Sequence, residues 1–364
     1  AIIDFEFRYQ RPQQIAAEFA RRGHRVFWIS PTRVTSLDSG DPYQGLKLQE
    51  NLWEIRLKSP AFDIYRGELT MEAVQEQLQS FLHLARDFEI SSHALLVQIP
   101  FWRRLAVAIQ KKLHGILAYD CMDEWDAFEN ISHFIRSEEP ALVRESDAVI
   151  VTATKLANKF EQATSHVALV RNGADYSHFH NARPHKELEG TQHPVVGYFG
   201  AIADWIDLGL IEYSAQMRPQ YTFVLVGQVF DRDVSGLESL PNVRMMGGRP
   251  YSEIPSFLAS FDVCTIPFLV NDVTAATDPV KLYEYFCSGK PVVATKMNEL
   301  EIWGDAVYTA ESREEYVALI DRAVNENNSN LREERRQIAR SNTWSNRVAT
   351  IADHLASSCH MSSI

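Results

Sequence analysis

Lys281 and Glu284 lie beside three aromatic residues in the segment TDPVKLYEYFCSGKPVVAT, which covers residues 277–295. The segment predicts a short helix, a glycine turn and a buried strand, with Asp278 as the helix cap and Pro279 at the first helical position. Free N–H groups at a helix start bind anions, so this helix start predicts a phosphate site. A cation in the first turn is mildly unfavourable, by roughly 0.3 to 1 kcal/mol, and a bound diphosphate would reverse that sign.

Glu284 follows Lys281 by three residues, so both side chains share one face of the predicted helix. A carboxylate at this place can accept hydrogen bonds from the vicinal hydroxyls of a ribose. The alternative is an ordinary salt bridge on a helix surface.

Two further carboxylates, Asp120 and Asp123, follow the apolar run of ILAYDCMDEWDAFEN. Side chains at the carboxyl end of a parallel strand lie where α/β proteins bind ligands. A carboxylate there can accept a proton from a substrate hydroxyl or orient that hydroxyl. Helix capping is the alternative interpretation.

The segment after the first apolar run contains Arg8, Arg11 and Gln13. Arginine suits bidentate binding of phosphate or carboxylate, so these residues are candidate cleft contacts. A solvated loop explains them equally well.

A predicted helix, FWRRLAVAIQKKLHG, has basic residues near both ends: Arg103, Arg104, Lys111 and Lys112. Such a helix could lie on an anionic membrane beside a lipid-linked acceptor. A solvated helix face is the favoured alternative.

The sequence predicts no metal site and no cofactor. The DRD tripeptide at residues 231–233 lies in a predicted loop, and three-letter patterns arise freely by chance. Cys121, Cys264, Cys287 and Cys359 lack ligand spacing, which is typical of a reducing compartment.

Length, charge and hydropathy narrow the class of protein. A chain of 364 residues with 45% hydrophobic content can form two cores, which predicts two domains. A net charge of -12 argues against nucleic acid as a partner. No apolar run is long enough for a membrane span, and the start lacks a signal-peptide layout. We therefore expect a cytoplasmic protein, with a few native residues missing before Ala1.

Short apolar runs alternate with amphipathic segments along most of the chain, which predicts βαβ units and parallel sheets. The strand candidates of the first half are AII, RVFWIS, ALLVQI, ILAYD, AVIVTA and HVALV, and those of the second half are VVGYFG, YTFVLVG, NVRMMG, DVCTIPF, PVVAT and AVYTA. A polar stretch with several Gly and Pro residues interrupts the alternation near residue 180 and is the best linker candidate. The predicted domains are residues 1–180 and 181–342, followed by a C-terminal helical segment, 343–364, that crosses back toward the first domain.

The segment LYEYFCSGKPVVAT resembles the nucleotide-sugar motif of GT-B glycosyltransferases, especially family 4. In that family a Glu on the donor ribose is often the second of an E-x7-E pair. Glu284 matches this second position, whereas Ala276 stands at the first. The chain is similar instead to the subset with DPVKLYEY, which makes Lys281 the expected phosphate contact.

The resemblance continues along nearly the whole chain in FRYQRPQQIAAEFARRGHRVFWI, RESDAVIVTATKLANKF, VVGYFGAIADWIDLGLI and LPNVRMMGGRPYSEIPSFLASFDVCTIPF. It implies a diphosphate pocket at Gly200 and Ala201, and a base pocket at Arg249, Pro250 and Tyr251. With the helix start, the implied donor-binding residues are Gly200, Ala201, Arg249, Pro250, Tyr251, Asp278, Pro279, Val280, Lys281, Leu282 and Glu284.

The resemblance implies a GT-B fold, with two Rossmann-like domains whose parallel sheets face a central cleft. The expected activity is metal-independent transfer of a sugar from a UDP- or GDP-type donor to a glycan, lipid-linked or small-molecule hydroxyl acceptor, in polysaccharide or glycoconjugate biosynthesis. Lys281 would stabilise the leaving diphosphate. Asp120 or Asp123 would act as base if transfer inverts the sugar, or would position a substrate if it retains. A nucleotide-sugar epimerase and a catalytically silent binding protein are the alternatives, and peripheral membrane contact is a further hypothesis.

Overall fold

The computed structural model describes residues 1–34, 40–129 and 131–361, and the side chains of residues 359–361, including the Cys359 thiol, lie outside the description. The strands are β1 (Val26–Ile29), β2 (Tyr43–Gln49), β3 (Leu52–Leu57), β4 (Ala94–Val97), β5 (Ile116–Cys121), β6 (Ala148–Val151), β7 (Val167–Leu169), β8 (Val195–Phe199), β9 (Thr222–Val226), β10 (Val243–Met245), β11 (Val263–Ile266), β12 (Val292–Thr295) and β13 (Tyr308–Ala310). The helices are α1 (Arg11–Arg21), α2 (Met71–Asp87), α3 (Arg103–Leu113), α4 (His133–Glu145), α5 (Thr154–Phe160), α6 (Tyr176–Phe179), α7 (Leu208–Met217), α8 (Ser235–Glu238), α9 (Ile254–Ser260), α10 (Val280–Ser288), α11 (Arg313–Val324), α12 (Ser329–Ser341) and α13 (Trp344–Met361).

The chain divides into two units, of which the first comprises residues 1–171 and 344–364. Its four-stranded sheet has the order β4-β5-β6-β7 and is parallel throughout. A separate three-stranded sheet has the order β1-β3-β2, in which β2 and β3 form an antiparallel hairpin. Helix α13 packs on α1, β5 and β6, so the end of the chain belongs to the first unit.

The second unit is continuous and comprises residues 172–343. Its six-stranded parallel sheet has the order β10-β9-β8-β11-β12-β13. Every residue of β8, β9, β11 and β12 is buried, as expected for a parallel sheet covered on both faces. Alternate residues such as Val195 and Val196 belong to different apolar clusters, because successive side chains point to opposite faces.

The strand order places the carboxyl ends of β8 and β11 side by side, with β9 flanking β8. Helix α10 follows β11 and precedes β12, so its first turn begins at the same edge of the sheet. This edge carries the donor-site residues predicted from the sequence.

Most predicted strands are present, but the AII prediction is wrong, because residues 1–3 form no strand. The antiparallel β2–β3 hairpin was not predicted. The division between units lies at 171/172, earlier than the expected boundary at 180/181. Asn172 explains the shift, since its backbone N–H and its side-chain amide both donate to Asp278 within the second unit, at 2.6 Å each.

Candidate functional site

Helix α10 presents its first turn at the carboxyl edge of the second unit's sheet. Its N-cap is Pro279, and Gly289 ends it in the left-handed conformation with φ 73°. Lys281 is the second helical residue, and Glu284 lies one turn further along. The first N–H groups of a helix have no intrahelical acceptor, so this turn can bind an anion.

The ammonium group of Lys281 lies against aromatic rings. Its Nζ is 5.3 Å from the centroid of the Tyr198 ring and 4.9 Å from that of Phe268. Among the described residues, no hydrogen bond or salt bridge reaches this ammonium group. Burial lowers the pKa of Lys281 to about 8, and the negative charge of Glu284 opposes this shift.

The carboxylate of Glu284 is also buried, with 6% of the residue exposed. Within the described part of the chain it accepts a single hydrogen bond, from the Tyr251 hydroxyl at 3.2 Å. Burial raises the pKa of Glu284 to about 7, while Lys281 and Tyr251 pull it down. A carboxylate with this much unused acceptor capacity can bind neighbouring ligand hydroxyls.

Gly200 follows β8 and approaches Lys281 closely. Its φ is +136°, and a Cβ at this position would lie 2.9 Å from the Tyr198 hydroxyl and 3.0 Å from Lys281 Cε. At Gly227, after β9, a Cβ would overlap the carbonyl oxygen of Gly200. Both positions therefore require glycine, and the backbone at Gly200 lies beside the Lys281 side chain.

Tyr251, a residue of the expected base pocket, contacts the expected ribose ligand Glu284. Its hydroxyl donates to Glu284, and its ring stacks on His178 at 4.6 Å with an interplanar angle of 13°. Arg249 instead forms a bidentate ion pair with Glu187, at 2.9 and 2.7 Å. Pro250, the N-cap of the short turn that carries Tyr251, is exposed.

The prediction that Asp278 caps α10 is wrong. Its carboxylate accepts from the Asn172 backbone N–H at 2.6 Å and from the Tyr283 hydroxyl at 2.9 Å. Asp278 therefore fastens the start of the second unit to α10, and its side chain is not available to a ligand. Leu282 is fully buried in the core, so only its backbone could contribute to a donor site.

In the first unit, Arg11 and Asp120 form a buried ion pair at 2.7 Å, with 2% and 0% of the two residues exposed. Arg11 Nη1 also donates to the Val170 carbonyl at 3.0 Å. Gln13 is fully buried and forms a capping box with Gln10 at the start of α1. These contacts give Arg11, Gln13 and Asp120 structural roles. The expected roles of Arg11 and Gln13 as cleft contacts, and of Asp120 as a catalytic base, stay predictions.

Asp123 remains the candidate acid or base of the first unit. Its side chain is half-buried and makes no hydrogen bond or ion pair to another described residue. Burial raises the pKa of Asp123 to about 6. The charges of Asp123 and Arg8 both act on the Tyr65 hydroxyl, whose own pKa burial raises to about 12, so these three residues are neighbours. Arg8 also lies over the Phe7 ring, 5.1 Å from its centroid.

A cluster of acids follows Asp123 in the first unit. One carboxylate oxygen each from Glu124, Asp126 and Glu139 lies within 4.8 Å of the others, a spacing that could hold a metal ion. Lys159 Nζ donates to all three, at 3.1 Å for Asp126 and 2.9 Å for Glu139. The ammonium group therefore occupies the place of a cation.

The basic helix α3 uses its arginines in ion pairs. Arg103 contacts Glu138 at 2.7 Å and Glu145 at 2.8 Å, and Arg104 contacts Glu138 at 3.0 Å. These pairs leave Lys111 and Lys112 as the basic groups of α3 for the membrane hypothesis. Across the residues that the structure describes, no helix is long and apolar enough to cross a membrane.

Sequence reasoning missed Tyr198, Phe268 and His178. Tyr198 and Phe268 were assigned to apolar strand segments, where an aromatic residue normally indicates packing alone. His178 lies in the polar stretch taken as a linker. No local signal reveals these contacts, because each depends on residues distant in the chain.

Comparison with known proteins places these features in context. Residues 193–326 match the family model for glycosyl transferases group 1. TuaH of Bacillus subtilis (strain 168), named for a glycosyltransferase of teichuronic acid biosynthesis, is 28% identical over 250 residues, which cover 62% of this chain. The matched region covers 63% of TuaH, less than two thirds of its length.

Solved structures share the fold over most of the chain. Sucrose-phosphate synthase from Thermosynechococcus elongatus superposes with a TM-score of 0.74 at 14% identity, covering 97% of this chain and 94% of that one. HepE from Anabaena, solved with UDP and glucose, gives a TM-score of 0.64 at 17% identity, covering 85% and 87%. The resemblance predicted from the sequence is confirmed: the chain has the GT-B fold, and residues 193–326 match the glycosyl transferases group 1 family.

Proposed function

We propose that this protein transfers a sugar from a nucleoside-diphosphate sugar to a hydroxyl acceptor, without a metal ion. The arrangement of Lys281, Gly200 and Glu284 at one sheet edge carries the proposal. An ammonium group and a buried carboxylate lie within one turn of α10, and the backbone at Gly200 lies beside the Lys281 side chain. This arrangement suits the diphosphate and ribose of such a donor.

UDP is the favoured nucleotide because HepE, a structural neighbour, is described in complex with UDP-glucose. In our proposal Glu284 accepts hydrogen bonds from the ribose hydroxyls, and Tyr251 holds that carboxylate in place. The ring pair of Tyr251 and His178 would form one wall of the base pocket. TuaH's name supports a role in polysaccharide or glycoconjugate biosynthesis.

We propose that Asp123 of the first unit acts on the hydroxyl group of the sugar acceptor. Transfer breaks the bond between the sugar carbon and the diphosphate oxygen, and the diphosphate leaves with the electron pair. The acceptor oxygen forms the new bond and loses its proton. Lys281 and the α10 N–H groups stabilise the charge on the leaving diphosphate, while Asp123 accepts the proton or orients the hydroxyl.

Lys281→Met tests the phosphate assignment. We expect diphosphate affinity to fall roughly 10- to 100-fold, since a charge-assisted hydrogen bond contributes about 1.5 to 3 kcal/mol. Thermal stabilisation by UDP, GDP, dTDP and ADP selects the nucleotide, and calorimetry then measures its affinity. Lys112→Met, on α3, is the matched control and should behave as wild type. Unchanged affinity in Lys281→Met would overturn the assignment.

Product analysis with UDP-glucose distinguishes glycosyl transfer, epimerisation and binding without turnover. EDTA is present to test whether the activity requires a metal ion. Transfer to an acceptor supports the proposal, whereas an isomerised nucleotide sugar without acceptor would indicate an epimerase. Binding without turnover over a broad acceptor panel would indicate a silent binding protein. Ala276, which stands at the position of the first Glu of the pair, is fully buried.

A further inference from the structure

The ammonium group of Lys281 faces two aromatic rings, which we call the aromatic cradle: Tyr198 and Phe268. The two ring centroids lie 5.3 and 4.9 Å from Nζ. Both distances are within the range in which a ring face attracts a cation. The cradle residues are themselves buried, with Tyr198 2% and Phe268 4% exposed, so their rings cannot turn away freely.

Each cradle residue is held by polar contacts of its own. The Tyr198 hydroxyl donates to the Ala201 carbonyl at 2.9 Å, which fixes the ring beside the Gly200 turn. The Phe268 carbonyl accepts from the Thr295 hydroxyl at 2.7 Å, and the Phe268 backbone pairs with Ile206 in an antiparallel bridge. The two ring faces are thus fixed relative to the sheet edge.

A ring face and a carboxylate hold a cation with different consequences. A carboxylate neutralises the charge and must be displaced, or must repel, when a phosphate arrives. A ring attracts the cation through its quadrupole but carries no net charge, so the site remains positive. Among the described residues no salt bridge joins Lys281 to Glu284, and the charge of Glu284 acts on the ammonium group without direct contact.

We propose that Tyr198 and Phe268 are positioning residues for sugar transfer, which hold the Lys281 ammonium group at the leaving diphosphate without neutralising it. This inference rests on the proposed function. It adds two residues that touch no substrate themselves and act through Lys281. Gly200 belongs to the same arrangement, because any side chain there would displace the Lys281 stem from the cradle.

A double-mutant cycle tests the proposal with Phe268→Leu, Lys281→Met and the double variant. The probes are whichever of UDP, GDP, dTDP and ADP stabilises the protein most, and its parent nucleoside. We expect Phe268→Leu to weaken diphosphate binding about 3- to 30-fold, with nucleoside binding unchanged, because only the diphosphate meets Lys281. In the Lys281→Met background Phe268→Leu should have no further effect.

Phe268→Tyr retains a ring face and should restore most of the diphosphate affinity. Phe286→Leu, a buried change elsewhere on α10, is the control for general loss of packing and should leave the ratio of diphosphate to nucleoside affinity unchanged. Thermal melting establishes that each variant is folded.

Equal losses for diphosphate and nucleoside in Phe268→Leu would overturn the cradle, and so would a loss that persists in the Lys281→Met background. In either case Lys281→Met alone would still weaken diphosphate binding, and the proposed function would stand. If Lys281→Met leaves diphosphate affinity unchanged, both the cradle and the phosphate assignment fail.

Discussion

Lys281 and Glu284 bury opposite charges within one turn of α10, and burial moves their pKa values in opposite directions. The pKa of Glu284 rises from 4.5 to about 7, so the folded protein holds this proton more tightly and loses stability as pH rises through that window. The pKa of Lys281 falls from 10.5 to about 8, so stability is regained between pH 8 and 10.5. In the ligand-free protein, Lys281 and Glu284 therefore reduce the free energy of unfolding most between about pH 7 and 8.

Replacing Glu284 by Gln should therefore stabilise the free protein at pH 8. We expect the free energy of unfolding to increase by about 2 kcal/mol at pH 8 and to change little at pH 4, where the carboxyl is protonated in both states. The same substitution should weaken nucleotide binding. Urea denaturation at both pH values, with exposed Glu161→Gln as control, measures the effect, and a larger gain at pH 4 would contradict it.

Asp123 should set the acid limit of transfer. If it accepts the acceptor proton, the rate falls as pH drops through about 6, its pKa in the free protein. Asp123→Asn should lower the rate by roughly 10²- to 10⁴-fold and remove that limb of the pH profile. Glu129→Gln, in the same region, is the control. An Asn variant with the wild-type profile would exclude Asp123 from the chemistry.

At this scale the sequence predicted the proximity of Lys281 and Glu284, because helix geometry fixes residues three apart. It could not separate Asp120 from Asp123. The partner of Asp120 is Arg11, 109 residues away, and only the tertiary structure brings that arginine to the end of β5. The sequence alone does not distinguish a structural carboxylate from a catalytic one at the end of a strand, because the contacts of each depend on residues distant in the chain.

The close approach between the ends of β8 and β9 requires glycine at position 227. Gly227→Ala would force a methyl group onto the Gly200 carbonyl, and the strand ends would have to separate. We expect a loss of about 1 to 3 kcal/mol in the free energy of unfolding, together with weaker diphosphate binding.

Gly209→Ala is the matched control for Gly227→Ala. Its Cβ would meet nothing closer than 3.5 Å, and alanine within α7 should preserve or raise stability. Urea unfolding and calorimetry distinguish the two variants. Similar stabilities for both would show that the strand ends can separate at no cost.

The sequence predicted the parallel strands because both sheet faces are covered and each strand is a short apolar run. The β2–β3 hairpin escaped prediction because β2 is mostly exposed and shows little hydrophobic patterning. Asn51, with φ 59°, was the available turn signal. The AII run failed for the opposite reason: Ile2 and Ile3 are buried but pair with no strand.

For the whole molecule, the assignment of donor and acceptor to different units has a measurable consequence. Binding of the nucleoside diphosphate should slow hydrogen exchange in β8, β11 and the start of α10, since a ligand protects the elements that it contacts. The exchange rates in β5 and β6 should not change. Exchange followed by mass spectrometry resolves these segments. Protection centred on β5 and β6 would reverse the assignment.

The hydrogen bond from Ala174 N–H to the Asn342 carbonyl, at 3.0 Å, ties the first residues of the second unit to its last. The chain leaves the first unit and returns to it at neighbouring points. Residues 172–343 therefore form a continuous insertion whose two ends lie close together, and a short linker could replace it. Such a segment can be exchanged between proteins as one piece. Under the proposed function, a new donor specificity could then be acquired without changing the unit that we propose binds the acceptor.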